Sequence, residues 1–443
     1  MRNNRQGVGE RPQSRASRRA KLLLALAGVV FGLLLAEVAL RATGYSFPEF
    51  YTTDERRGYA LRPGAAGWYR KEGASYVRIN SDGLRDREHA REKPTDTFRI
   101  AVVGDSYAEA LQVELAASFW AVMERRLQAC AAQFAGGRRV EVINFGVSGY
   151  GTAQELITLR ERVWDYSPDL VLLAFTTNND ITDNSRALKK TDQTPYFVLR
   201  DGRLSLDDSF RETRAFRLNR SPLGRLGASL VSGSRVVQLT QQAHAALRAY
   251  MKRPRAAAAS PPAQQTARAR RQTVLLTHRS AGSSPPQTQP TTTKDGATPG
   301  EELGIDNLVY RAPPDQTWGE AWRVTEELLK TMRDEVRGRG AEFLVVTLSN
   351  GIQVYPDPAA RAAFMQRVGA TDLFYPDARV RALGEREGFP VLNLAPALQE
   401  YADRERVFLH GFGRELGNGH WNELGHRVAG EMIAENLCAG AAR

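Results

Sequence analysis

Phe98-Arg-Ile-Ala-Val-Val-Gly-Asp-Ser-Tyr107 is the stretch around which the chain is organised. Ile100-Ala101-Val102-Val103 is a short apolar run stopped by Gly104. A run of that kind predicts a strand buried on both faces, as in a parallel sheet covered by helices. Its carboxyl end delivers Ser106 to the start of a helix. Open parallel sheets bind ligands at the carboxyl ends of their strands. Helix N-terminal amides there suit a developing oxyanion. A serine in this place also serves simply as a helix cap, so the segments that follow have to decide between the two roles.

The same rhythm recurs. Arg139–Asn144 reads as a second strand ending at Phe145-Gly-Val-Ser-Gly149, and Asp169–Phe175 as a third ending at Thr176-Thr-Asn-Asn-Asp180. Glu342–Leu348 and Pro390–Leu394 read as the fourth and fifth. Helices are expected near 117–133, 153–166, 318–337, 372–387 and 422–437. Five strands alternating with helices predict an α/β three-layer sandwich on a five-stranded parallel sheet.

Net charge is +11, but its location excludes a nucleic-acid surface on the folded part. Residues 1–21 carry a net +6 and residues 252–300 a net +7, which leaves the remainder at −2. Residues 1–21 read as a basic cytoplasmic tail. Residues 22–41 form an apolar run broken near its end only by Glu37 and Arg41, long enough for a transmembrane anchor. The basic flank ahead of it places the tail in the cytoplasm and the rest outside, as a single-pass protein of the cytoplasmic membrane facing the periplasm. A cleaved signal peptide and a buried core helix are the rival readings of this run.

Residues 42–97 read as a membrane-proximal appendage with a hairpin around Lys71-Glu72-Gly73. Residues 98–437 read as the main domain, with an insertion at 183–251. Within the insertion, Asp201-Gly202 marks a hairpin and Leu230–Tyr250 reads as helix. Residues 252–300 are rich in Pro, Ala, Ser, Thr, Gln and Arg and are expected to be a disordered loop. Cys130 and Cys438 close the first and last helices, which share a face in this topology. They are expected to form a disulfide in an oxidising compartment, or else to be two unrelated buried thiols.

Chemistry gathers at the strand ends. Acyl transfer through serine needs a nucleophile, a base and donors for the tetrahedral oxyanion. Ser106 supplies a hydroxyl. His420, in Gly417-Asn-Gly-His-Trp-Asn422, supplies an imidazole ahead of the last helix. The Ser106 and Gly149 amides and the Asn179 side chain supply donors. A dinucleotide site is a poor reading, because Gly146, Gly149 and Gly151 lack its spacing.

Together these segments resemble the SGNH, or GDSL, hydrolase family. Gly104-Asp105-Ser106 matches its nucleophile block, Asn144 to Gly149 the second block, Asn179-Asp180 the third, and His420 with Trp421-Asn422 the last. The likeness covers about 75–183 and 318–437. It is similar in particular to membrane-anchored bacterial members, in which Asn80-Ser-x-Gly83-Leu-Arg85 also recurs. The resemblance implies that the sheet is flavodoxin-like, and it implies a serine-dependent esterase of the cell envelope acting on acyl esters or O-acetylated glycans, with no metal and no cofactor. An O-acetyltransferase on envelope polysaccharide and a catalytically weak glycan-binding relative are the alternatives. Two departures stand out. Thr177 replaces a usual glycine. Asn418 stands where the acid that orients the histidine is expected, with Glu415 the nearest carboxylate. The expected catalytic set is therefore Ser106, His420 and Asn418, with Ser106, Gly149 and Asn179 as the oxyanion hole.

Overall fold

The computed structural model describes residues 18–252 and 307–440. The basic tail before residue 18 and the expected disordered loop at 252–300, Lys252 apart, lie outside the described residues.

Five strands form one sheet: β1 (Thr97–Gly104), β2 (Arg139–Asn144), β3 (Leu170–Thr176), β4 (Glu342–Leu348) and β5 (Val391–Asn393). All neighbours are parallel, in the order β2-β1-β3-β4-β5. The predicted flavodoxin-like sheet is thus the observed one, and its strand order reverses between β1 and β3.

Side chains alternate across each strand. On β1, Ile100 and Val102 face a core shared with Phe119, Trp120, Val428 and Ile433. Ala101 and Val103 face the opposite core, with Leu156, Trp322, Leu328 and Met332. Both sheet faces are therefore covered, which explains why β1 reads as an unbroken apolar run. Six helices matter below: α1 (Arg18–Ala42), α2 (Phe119–Ala129), α3 (Thr152–Glu161), α4 (Gln316–Gly338), α5 (Tyr375–Glu387) and α6 (Glu423–Cys438). Helix α1 is long and apolar enough to cross a membrane, and none of its residues is buried.

Local differences from the sequence reading have local causes. The expected helix 153–166 ends at Glu161 and continues as a 3-10 turn, Val163–Tyr166. The expected helix 230–250 is two helices, Pro222–Gly233 and Arg235–Lys252, broken at an extended Ser234. The first of them starts earlier because Ser221 caps it and Pro222 takes its first position.

Residues 51–78 fold as two antiparallel hairpins, Tyr51–Asp54 with Gly58–Leu61 and Ala66–Tyr69 with Ser75–Arg78. They pack onto the main sheet's loops through a small core of Phe50, Leu61, Val77 and Ile79 with Leu111, Val147 and Tyr150.

Helices α2 and α6 lie on the same face, and Cys130 and Cys438 at their ends form a disulfide with Cα atoms 6.1 Å apart. It closes a loop spanning 308 positions. Long loops lose the most unfolded-state entropy on closure. The double variant Cys130→Ser/Cys438→Ser is expected to lose about 2–5 kcal/mol of stability. Denaturant unfolding of the two proteins side by side checks this, and an unchanged midpoint would contradict it.

Candidate active site

Asp105 sits between β1 and a short helix, Ser106–Glu109, and its side chain caps that helix by accepting from the Tyr107 amide at 2.9 Å. Ser106 is the residue after the cap, so its hydroxyl is left for other work. That hydroxyl lies 2.7 Å from His420 Nε2. His420 Nδ1 lies 2.6 Å from Glu72 Oε2, and the His420 amide donates to Glu72 Oε1 at 2.7 Å. One carboxylate therefore grips both the backbone and the ring of the histidine.

Burial works against the charged form of Glu72. Hydrogen bonds from His420 and its charge outweigh that effect, and the carboxyl sits below its ordinary pKa. An ionised Glu72 only accepts, so Nδ1 carries the proton. Nε2 is then left to accept from Ser106.

Asn418, expected in the place of the orienting acid, makes no hydrogen bond to the imidazole. Its Oδ1 is buried without a partner among the described residues. Glu415 is exposed and is no substitute. The acid comes instead from the tip of the hairpin Ala66–Arg78, in the segment read as an appendage. Gly419 makes this possible. It has φ +75°, and a Cβ there would stand 2.2 Å from Glu72 Oε1. Only a glycine lets the carboxylate approach so closely.

The other expected residues do converge. Ser106, Gly149, Asn179 and His420 line one cavity of about 500 Å3, with Phe50, Tyr51, Trp68 and Tyr69 among its walls. Gly149 has φ +76°, and a Cβ there would stand 2.7 Å from the Tyr59 hydroxyl. Among the described residues nothing accepts from its N–H. Lys189 Nζ holds the Gly149 carbonyl at 2.7 Å, and Tyr59 Oη holds the Ser148 carbonyl at 2.8 Å. Buried Glu109 accepts from the Ser148 amide and from Tyr51 Oη. Asn179 Nδ2 donates to Asp105 Oδ2 at 3.2 Å, which occupies one of its two hydrogens and leaves the second free to point elsewhere. Thr177 is buried and takes a hydrogen bond from Asn350 Nδ2 at 3.1 Å, so its bulk turns into the protein.

A second network fixes the histidine loop. Trp421 Nε1 donates to Ser349 Oγ at 2.9 Å, and Ser349 Oγ lies 3.1 Å from His410 Nε2. The Gly419 carbonyl only accepts, so Nδ1 of His410 carries the ring proton and Nε2 accepts from the Ser349 hydroxyl. His410 Nδ1 then donates to the Gly419 carbonyl at 2.8 Å. Burial and the nearby His420 charge push the His410 pKa down to about 4, against the pull of the Gly419 carbonyl, which keeps the ring neutral for both bonds. The residues on either side of His420 are thereby pinned. No sequence signal pointed to His410 or Ser349, whose parts are purely geometric.

A hydroxyl, an imidazole and a carboxylate in series, beside amide donors at a cavity wall, can perform nucleophilic acyl transfer. No protein-family model matches the chain, and no curated protein matches it. Among solved structures the chain is similar to a metagenomic alpha/beta hydrolase enzyme from Lake Arreo, Spain. The identity there is 12%, over 78% of this chain and 96% of that one, with a TM-score of 0.33. It is also similar to an acetylxylan esterase from Geobacillus stearothermophilus, at 11% identity, 77% and 94% coverage and a TM-score of 0.34. A lipase/acylhydrolase from Enterococcus faecalis follows at 14% identity, 77% and 96% coverage and a TM-score of 0.30. At these scores the likeness decides nothing about activity, which rests on the site itself.

Proposed function

We propose that the protein is a membrane-anchored serine ester hydrolase of the SGNH type, with Ser106 as nucleophile, His420 as base and Glu72 as the acid that orients it. The observation that carries this reading is the unbroken series Ser106 Oγ, His420 Nε2, His420 Nδ1, Glu72 Oε2, with contacts of 2.7 and 2.6 Å.

In this reading His420 takes the Ser106 proton as Oγ attacks the ester carbonyl. The carbonyl π electrons move to oxygen, and the Ser106 and Gly149 amides and Asn179 Nδ2 hold the resulting oxyanion. Its collapse expels the alkoxide, which takes the proton from His420. Water, deprotonated by the same imidazole, then cleaves the acyl-serine and restores the hydroxyl. Trp68, Tyr69 and Tyr51 line the cavity wall, an aromatic lining that favours an acylated glycan as the ester's alcohol part. The apolar helix α1 behind a basic flank supports an anchor with the site outside the cytoplasm. The disulfide agrees with that compartment.

A fluorophosphonate probe tests the nucleophile directly, since it phosphonylates only a serine activated by its neighbours. Labelling of the intact protein is expected, with the adduct on the peptide carrying Ser106. Labelling on another serine, or none while a control esterase in the same tube is labelled, would defeat the proposal.

A further inference from the structure

We infer that the insertion helix Pro222–Gly233 lies on the bilayer surface beside the exit of α1, with a stripe of leucines at the boundary of headgroups and acyl chains. This rests on reading α1 as an anchor.

Leu223, Leu226 and Leu230 fall at i, i+3 and i+7, so they form one stripe on the helix. They are 71%, 57% and 56% exposed, and Leu218 just before them is 59% exposed. A single exposed leucine is ordinary, but a row of them beside basic residues is a surface that wants a partner. An adjoining side of the helix borders a cleft. Gly224, Gly227, Ala228 and Val231 line a groove that adjoins the active cavity at Tyr51, Gly149 and Gln241. One side thus walls the cleft, and the leucines lie on an adjoining side, about 120° round the helix.

Charge selects the partner. Residues 213–252 contain seven Arg and Lys and no Asp or Glu, although the folded part as a whole is slightly acidic. Arg225 on the helix, and Arg214 and Arg217 in the helix just before it, are exposed. An apolar helix stripe in a segment with exposed basic residues and no acidic ones suits anionic headgroups.

Hydrogen bonds set the depth. Arg41 in the last turn of α1 donates to the Gly233 carbonyl at 2.8 Å. Glu37, one turn earlier, accepts from the Ser234 hydroxyl at 2.9 Å and from the Arg235 and Val236 amides at 3.0 and 3.1 Å. The carboxylate caps the helix Arg235–Lys252, and the corner between the two insertion helices is pinned to the outer end of the span. A twelve-residue helix that ends there is about 18 Å long. Tied to the span at one end, with an exposed leucine stripe beside its cleft-lining side, it meets lipid before it meets a soluble protein. The cleft wall is then fixed to the membrane, and the active site opens close to its surface.

Spin labels on the full-length protein test this in vesicles of equal parts phosphatidylcholine and phosphatidylglycerol. Cys130 and Cys438 are bonded to each other, so an introduced thiol takes the label alone. Three positions suffice: Leu226→Cys on the stripe, Leu34→Cys inside α1, and Arg381→Cys on the exposed side of α5. The label at 226 is expected to be several-fold less accessible to aqueous nickel chelate than the label at 381, and more accessible to oxygen. Equal nickel accessibility at 226 and 381, with 34 shielded, would overturn the docking while leaving the anchor. Nickel access at 34 as well would remove the anchor and the docking together. Close label–label distances at 226 would mean that a second copy covers the stripe, and would also overturn it.

Discussion

Ser106→Ala is expected to lower kcat for p-nitrophenyl acetate by about 10⁵–10⁶, with KM little changed. The size follows from serine hydrolases in which the nucleophile and its base act as a unit, so that losing one costs nearly as much as losing all. Alanine leaves the Gly149 and Asn179 donors in place, so a rate above that of water should persist. The fold should not suffer. Asp105, not Ser106, caps the helix that follows β1, and Ser106 makes its side-chain bond to His420 alone among the described residues. Steady-state kinetics beside thermal unfolding separates the two effects. A variant that keeps its melting point and loses turnover supports the mechanism. Unchanged turnover in Ser106→Ala would remove Ser106 from it.

That test also bears on how the site was legible. Ser106, Gly149 and Asn179 each stand just past an apolar run, and a buried strand announces its own end because the run must stop where the chain meets solvent. His420 stands ahead of a helix whose cap, Asn422, accepts from the Gly425 amide at 3.0 Å, a local pattern visible in the chain. Glu72 had no such mark. It sits in a turn among Lys71 and Gly73, where a charged residue is ordinarily solvated, and its partner lies 348 positions away. Reading the orienting residue at Asn418 assumed that the acid must come from the histidine's own loop. Two glycines at positive φ, Gly417 and Gly419, shape that loop so that a carboxylate from another element docks there instead. The sheet was legible for a related reason. Its strands are buried on both faces, so each shows as an apolar run within its own few residues, whereas the break at Ser234 depends on Glu37, nearly two hundred positions earlier.

Glu72→Gln tests the residue that sequence reasoning missed, and a fall in kcat of about 10⁴ is expected, the size seen when a serine protease loses the same charge. Glutamine keeps an oxygen for the His420 amide, so the backbone grip can persist while the charge goes. Its NH2, however, donates where the carboxylate accepted. Nδ1 must then accept, the ring proton moves to Nε2, and Ser106 loses the lone pair that would take its proton. The pH profile distinguishes this from a structural defect. Glu72 has a depressed pKa, so in the native enzyme it stays ionised through the range where carboxylates ordinarily titrate. The acid limb of kcat/KM therefore reports protonation of His420 rather than of Glu72. Removing the neighbouring negative charge destabilises the imidazolium, and the acid limb should move to lower pH in the variant. The stability linked to Glu72 has the matching sign: present above the ordinary carboxylate pKa, and lost as pH falls through the lower native value. Asn418→Asp is the counter-test. Because Asn418 makes no hydrogen bond to His420, an aspartate there should not raise turnover, and it should not rescue Glu72→Gln. A rescue would return the orienting role to position 418 and displace Glu72 from the mechanism.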